Sequence, residues 1–160
     1  MNKFDRTDLK FNPIGVIHSP YKKREDIPSG KNTDTAGYEN TEGRIEIFEK
    51  YRDGLKDLEG FSHIILIFAF HLSQARGNLF AHPPYDKKKR GVFATRSPHR
   101  PNPIGMTIVR LLKIEKNIIH VSDIDMLEGT PVLDIKPYTL RDRKNDIRLG
   151  WLEDFNSEKK

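Results

Sequence analysis

The chain has 160 residues, 36% of them hydrophobic and 32% charged, with a formal net charge of +5 and no cysteine. That length suits one domain with one real core, and the lack of cysteine excludes disulfides, thiolate metal sites and cysteine nucleophiles. The longest apolar run, Ile64–Phe70, falls far short of the ~20 residues of a spanning helix, and the N-terminus lacks a signal-peptide core, so a cytoplasmic protein with no membrane segment is expected.

In chain order, Ile14-Gly15-Val16-Ile17 reads as a short strand that stops at Ser19-Pro20, where proline has no N–H for the ladder. From Tyr21 to Thr41 periodicity is lost, and Pro28, Ser29, Gly30 and Gly37 punctuate a long loop; loops of this length in compact domains are usually functional or disordered. Arg44–Phe48 alternates like a half-buried strand, and a short helix is expected over Lys50–Leu58. Ile64–Phe70 is rich in β-branched and aromatic residues and too short for an ordinary helix, which makes it the central strand. Further strands are expected at Gly91–Ala94, Thr107–Ile114, Ile118–Val121 and Val132–Lys136, separated by Gly, Pro or Lys-Asn turns. Many short strands with few helices predict a mainly β fold, a single small β-barrel with short helices and long loops, and not a Rossmann fold. Residues 1–11 read as a flexible N-terminus, 12–140 as the barrel domain and 141–160 as a C-terminal surface segment. In that last segment Trp151, Leu152 and Phe155 form an apolar cluster able to dock on the core or on a second subunit.

The most unusual stretch is Gly91-Val92-Phe93-Ala94-Thr95-Arg96-Ser97-Pro98-His99-Arg100-Pro101-Asn102-Pro103-Ile104-Gly105. Its prolines at 98, 101 and 103 fix φ and bias each preceding residue towards extended backbone. Arg96, His99, Arg100 and Asn102 are thereby carried on a stiff loop, which lowers the entropy cost of gripping a charged ligand. A rigid strand connection with solvated arginines is the blander explanation for such a loop taken alone. A second block, Asp123–Tyr138, contains the turn Glu128-Gly129-Thr130-Pro131. Alternation after it puts Val132, Asp134 and Lys136 on one face and Leu133 and Ile135 on the other. Asp125 and Glu128 are placed to accept hydrogen bonds from a hydroxyl or amine, or simply to cap the turn. His71 emerges where the central strand ends, at a barrel rim where ligands enter; a satisfied, half-buried histidine would look the same.

Several nucleotide and metal motifs are missing: the sequence has no GxG, no GxxxxGK[ST], no HExxH and no Gly-x-Ser-x-Gly. Any nucleotide-like cofactor must therefore bind by another fold, and no metal is expected. The positive net charge is compatible with RNA, although charge alone fits a solvated lysine-rich surface better. The run Lys87-Lys88-Lys89-Arg90 beside Tyr85 is suited to tracking phosphates, and equally to a solvated loop.

Together, the Ile14–Lys22 segment, Phe61-Ser62-His63 with the strand running to His71, the block Arg96-Ser97-Pro98-His99-Arg100-Pro101-Asn102-Pro103-Ile104-Gly105 and the block Gly129-Thr130-Pro131-Val132-Leu133-Asp134-Ile135-Lys136-Pro137-Tyr138 resemble the TsaA-like, tRNA adenine-N6 methyltransferase family. The likeness covers about residues 12–138 in the same order, and the two last blocks are long and specific. The resemblance implies a β-barrel that uses S-adenosyl-L-methionine without a Rossmann fold, forms a homodimer with the cofactor site near the subunit interface, and takes tRNA as substrate. The implied reaction is N6-methylation of N6-threonylcarbamoyladenosine beside the anticodon. By resemblance the cofactor contacts fall on Ser29, Gly30, Lys31, His71, Leu72, Arg96, Met106, Asp125, Met126, Leu127 and Glu128.

Two departures from the family pattern stand out: Pro28-Ser29-Gly30-Lys31 replaces a more basic, glutamine-containing turn, and Glu128 replaces an aspartate. Bacterial members carry a further C-terminal domain, whereas this chain ends soon after Trp151. Direct in-line displacement is the expected chemistry, with reactants held about 3–3.5 Å apart, and His71, Asp125 and Tyr138 are the candidate proton acceptors. Two alternatives are a non-catalytic RNA-binding β-barrel and a small-molecule methyltransferase on the same scaffold.

Overall fold

The computed structural model describes residues 10–28, 37–74, 77–83, 86 and 88–153. Among the described residues eight strands form: β1 (Gly15–His18), β2 (Gly43–Ile47), β3 (His63–Ala69), β4 (Phe80–Ala81), β5 (Arg90–Gly91), β6 (Ile104–Glu115), β7 (Ile118–Ser122) and β8 (Pro131–Pro137). Six of them close an antiparallel barrel in the order β1-β2-β7-β6-β3-β8, while β4 and β5 make a separate two-stranded ribbon. Closure removes the exposed edges that an open sheet would leave.

Strand alternation fills the barrel. Ile64, Leu66 and Phe68 of β3 point inward with Ile17, Ile45, Val109, Ile119 and Val121 from the other staves, all essentially solvent-free. The outward residues of β3, Ile65, Ile67 and Ala69, are only half-buried, so this continuous apolar run is one core face plus one apolar outer face. On the neighbouring β6 the outward Ile104, Met106 and Ile108 are exposed, which extends the apolar strip across both strands.

The six barrel strands occupy the segments expected from the sequence, with ends shifted by a few residues. The strand expected at Gly91–Ala94 shrinks to Arg90–Gly91, and Val92–Ala94 turns into a 3-10 helix. Val92 is buried in that turn and donates its N–H to the Leu79 carbonyl, so tertiary burial outweighs the β preference of Val-Phe. The helix expected over Lys50–Leu58 is two 3-10 segments, Glu49–Leu55 and Leu58–Gly60, separated by Asp57 in the left-handed region at φ 67°. β8 also departs from simple alternation. Its register against β3 slips between Ile67↔Asp134 and Phe68↔Val132, leaving Leu133 as a bulge, so Val132 is fully buried while Ile135, three residues on, packs against the same core. Val132 therefore leaves the face expected from strict alternation, while Asp134 and Lys136 still share theirs and pair at 2.6 Å.

The N-terminal residues 1–9, and with them most of the expected flexible N-terminus, lie outside the described residues, as do Ser29, Gly30, Lys31, Tyr85, Lys87 and Phe155.

Candidate functional site

At one end of the barrel the chain segments that follow β3, β5 and β7 meet. Val132 and Thr130 lie at the start of β8, and Leu127–Thr130 forms a turn closed by the Thr130 N–H on the Leu127 carbonyl at 3.2 Å. Gly129 supplies the positive φ of 77° that the third position of this turn requires. The proline-rich loop after β5 is braced against the end of β3. Phe70 N–H donates to the Pro103 carbonyl at 2.8 Å, and the Ser73 hydroxyl donates to the Pro98 carbonyl at 3.0 Å. A hydroxyl that donates there accepts from a second partner, which assigns the proton of His99 to Nδ1, 3.0 Å away. Arg100 donates to the Thr95 carbonyl of its own loop at 3.3 Å. His99 and Arg100 thus hold the loop in shape, and Arg96 is left exposed on its outer side.

These segments enclose a cavity of about 250 Å³ lined by Phe68, Phe70, His71, Leu72, Asp125, Met126 and Leu127, with Arg24 and Ile27 from the long loop and Ser73, Pro98, His99 and Thr130. The walls are mainly apolar and aromatic; Phe68 and Phe70 stack edge to face at 5.2 Å. Into this setting the chain puts a carboxylate. Asp125 Oδ1 is buried without a hydrogen-bond partner within the protein. Burial raises the Asp125 pKa above 3.8, and the Thr107 hydroxyl, its own backbone and the charge of Arg96 only partly oppose that rise. A buried acceptor lacking a partner costs about 1–3 kcal/mol, so Asp125 brings an unmet acceptor to the edge of the cavity.

The sequence-expected site residues divide in space. His71, Leu72, Asp125, Met126 and Leu127 share the 250 Å³ cavity. His71 is exposed at its rim, not half-buried. Arg96 and Met106 border an adjoining hollow on the outer face of the barrel, together with Phe70 and Asn102. Glu128 turns the other way: it accepts the Ser19 N–H at 2.7 Å, pairs with His18 Nδ1 at 3.0 Å and lies 3.8 Å from Lys22. Its partner His18 also contacts Glu46 at 3.1 Å. His18, first among its causes, lowers the Glu128 pKa, and Glu128 then Glu46 raise that of His18. Tyr138 lies beyond the far end of β8, edge-on to His63 at 6.2 Å between ring centres, and does not meet His71 or Asp125.

Groups that sequence reasoning missed come from the same convergence. Arg24 and Ser73 border the cavity. Tyr38 is half-buried, and burial followed by the charge of Asp125 raises its hydroxyl pKa above 10.0. Nothing in the local sequence singles out Tyr38 or Arg24, since both lie in the polar stretch before β2; a half-buried tyrosine near a carboxylate is visible only in three dimensions. In the basic run, Lys89 sits 4.1 Å from the Phe80 ring centre and Arg90 is bound to Asp86 at 2.6 Å, so these side chains are partly committed to their own ribbon. Among the described residues no group of His, Asp and Glu is arranged to hold a metal ion, and no helix is long and apolar enough to cross a membrane.

Comparison with known proteins follows the same geometry. The family model of the tRNA-methyltransferase O N-terminal domain matches residues 16–142. A protein of Pyrococcus abyssi named as a probable S-adenosyl-L-methionine-binding protein is 47% identical over 144 residues, covering 89% of this chain and 76% of its own length. The tRNA (adenine(37)-N6)-methyltransferase of Escherichia coli is 36% identical over 141 residues, covering 82% of this chain but 58% of the enzyme; the human enzyme of that name is 37% identical over 154 residues, 34% of its length. A crystal structure of TrmO from Pseudomonas aeruginosa superimposes with a TM-score of 0.72 at 36% identity, covering 89% of this chain and 61% of that one.

Proposed function

The chain belongs to the tRNA-methyltransferase O N-terminal-domain family, and from that premise we propose that it is an S-adenosyl-L-methionine-dependent methyltransferase acting on the N6 position of an adenosine in tRNA. The finer reading is that the acceptor is N6-threonylcarbamoyladenosine beside the anticodon and that the protein works in the cytoplasm. The observation that carries the proposal is the partnerless buried Oδ1 of Asp125 in a cavity otherwise walled by Phe68, Phe70, Met126 and Leu127. Those residues fit S-adenosyl-L-methionine, which offers hydroxyl and amine donors, a cationic centre and a flat apolar heterocycle to such a site.

Asp125, Met126, Leu127, His71 and Leu72 would hold the cofactor, with the segment at Ser29, Gly30 and Lys31 assigned by resemblance. When bound, the cofactor would supply an electrophilic methyl group for transfer to the adenine N6. The chain's own share is positioning: the loop braced by Ser73 and the prolines keeps its side of the cavity fixed, which lowers the cost of aligning two reactants. Of the candidate proton acceptors, His71 and Asp125 border the cavity, and Asp125, whose raised pKa makes it the stronger base of its kind, is the better placed. The planar guanidinium of Arg96 serves anion binding.

A homodimer belongs to the same reading. The exposed Ile104, Met106 and Ile108 on β6 continue the half-buried Ile65 and Ile67 on β3, and an apolar strip of this kind on a small barrel is best covered by a second copy. Met106 lies on that strip and Arg96 in the hollow beside it, so pairing would bring both to the edge of a cofactor site at the interface.

Calorimetric titration with S-adenosyl-L-methionine and its demethylated product tests the cofactor reading. Micromolar binding is expected, and Asp125→Asn should weaken it about tenfold or more. No binding of either compound to the wild-type protein would shift the assignment to a cofactor-free RNA-binding barrel.

A further inference from the structure

Beside the cofactor cavity lies a second and larger one of about 530 Å³, bounded by Arg24, His82, Phe93, Arg96, Pro98 and Trp151 among others. Arg24 and Pro98 border both cavities, so the two are immediate neighbours. Among the described residues, the titratable side chains bordering the larger cavity are Arg24, His82 and Arg96, with no carboxylate. Phe93 offers a large aromatic face and is 77% exposed.

Trp151 closes the cavity from beyond the stretch matched by the family model, which ends at residue 142. It is fixed from two sides. Its indole N–H donates to the Ala94 carbonyl at 2.8 Å, and the Arg90 guanidinium lies 4.9 Å from the ring centre, itself held by the buried Asp86 at 2.6 Å. The C-terminal turn Gly150–Leu152 is thereby locked onto the segment that opens the proline-rich loop.

Resting on the methyltransferase reading above, we infer that this second cavity is the acceptor subsite: it takes a heteroaromatic base whose exocyclic substituent carries a negative charge, with Phe93 and Trp151 as its aromatic walls and Arg24 and Arg96 as its cations. Aromatic walls receive a base whatever its sequence context, and guanidinium groups match a carboxylate in both charge and fork geometry. The Arg24–Pro98 boundary sets the exocyclic nitrogen of such a base against the cofactor cavity. Trp151 is then a binding residue of the reaction, supplied by a segment outside the matched domain.

The test uses the full chain and an anticodon stem-loop whose adenosine carries an N6 substituent ending in a carboxylate, beside the same RNA with that carboxylate masked as its methyl ester. Trp151→Ala and, independently, the surface variant Phe93→Ala should each raise KM for the carboxylated RNA about tenfold or more, while calorimetric affinity for S-adenosyl-L-methionine stays within about twofold. Trp151→Phe, which keeps a ring but not the N–H, should recover most of the loss, and the wild type should favour the free carboxylate over the ester by about tenfold. An unchanged KM in Phe93→Ala, a parallel loss of cofactor affinity, or equal use of acid and ester would overturn the subsite. A wild type that binds cofactor and methylates the RNA while both alanine variants match it removes the subsite alone. A wild type that does neither removes the methyltransferase reading and the subsite together.

Discussion

Two acidic residues three positions apart, Asp125 and Glu128, do opposite work. Asp125 is half-buried beside the cavity, with its Oδ1 buried and unpartnered within the protein, so its ionised form costs the fold stability. Its folded pKa is raised, so its contribution favours the fold at low pH and is lost as pH rises through the folded value. Asp125→Asn is therefore expected to leave thermal stability at pH 7 equal or higher while cofactor affinity falls, a split that melting curves and calorimetry on one sample would read. Glu128 spends its carboxylate on His18 and on the Ser19 N–H, tying the end of β1 to the turn before β8. Glu128→Ala should cost about 1–2 kcal/mol through the lost charged hydrogen bonds. The Glu128 pKa is lowered, so its stabilisation is present above the ordinary 4.5 and lost as pH falls through the folded value. That of His18 is raised, so its share is complete below the ordinary 6.5 and lost as pH rises through the folded value. The gap in melting temperature between wild type and Glu128→Ala should thus be widest between those two values; a gap that keeps widening above pH 8 would exclude the ion pair as its source.

At the scale of strands, the cavity depends on how tightly β3 and β6 approach. Gly105 faces Phe68 across that pair, and a Cβ placed there would lie 2.3 Å from two carbons of the Phe68 ring. Phe68 borders the cofactor cavity, so Gly105→Ala should both destabilise the barrel, by about 1–3 kcal/mol as overpacking does, and weaken cofactor binding measured by titration. Stability loss with unchanged affinity would mean the ring moves without reshaping the cavity. The strands themselves were legible where a periodic or continuous apolar pattern dominates, as in Arg44–Phe48 and Ile64–Phe70. Val92-Phe93-Ala94 misled because its β-forming side chains serve a turn that buries Val92 alone. The bulge at Leu133 was hidden for a different reason: one extra residue in β8 is fixed by pairing with Ile67 and Phe68, far away in sequence.

For the whole molecule, the place of the cavity follows from bringing three loop segments to one end, and each was legible: the proline-rich block and the Glu128-Gly129-Thr130-Pro131 turn because they are chemically unusual, and the segment at His71 because it stands where the central apolar strand ends. Sequence reading missed Tyr38, which acquires meaning only from the charge of Asp125, and Arg24, which does so only from the cavity it borders. The exposed strip on β6 gives the proposed dimer a direct check: the wild type should sediment as a dimer and Ile108→Asp as a monomer, and a wild type that already sediments as a monomer would rule the pairing out. The most direct measurement of the function is transfer of a labelled methyl group from S-adenosyl-L-methionine to tRNA bearing N6-threonylcarbamoyladenosine, followed by mass spectrometry of the digested nucleosides. The expected product carries one added methyl on the modified adenosine and disappears with tRNA lacking that modification; label left wholly on the cofactor, in a protein that binds it, would contradict the assignment.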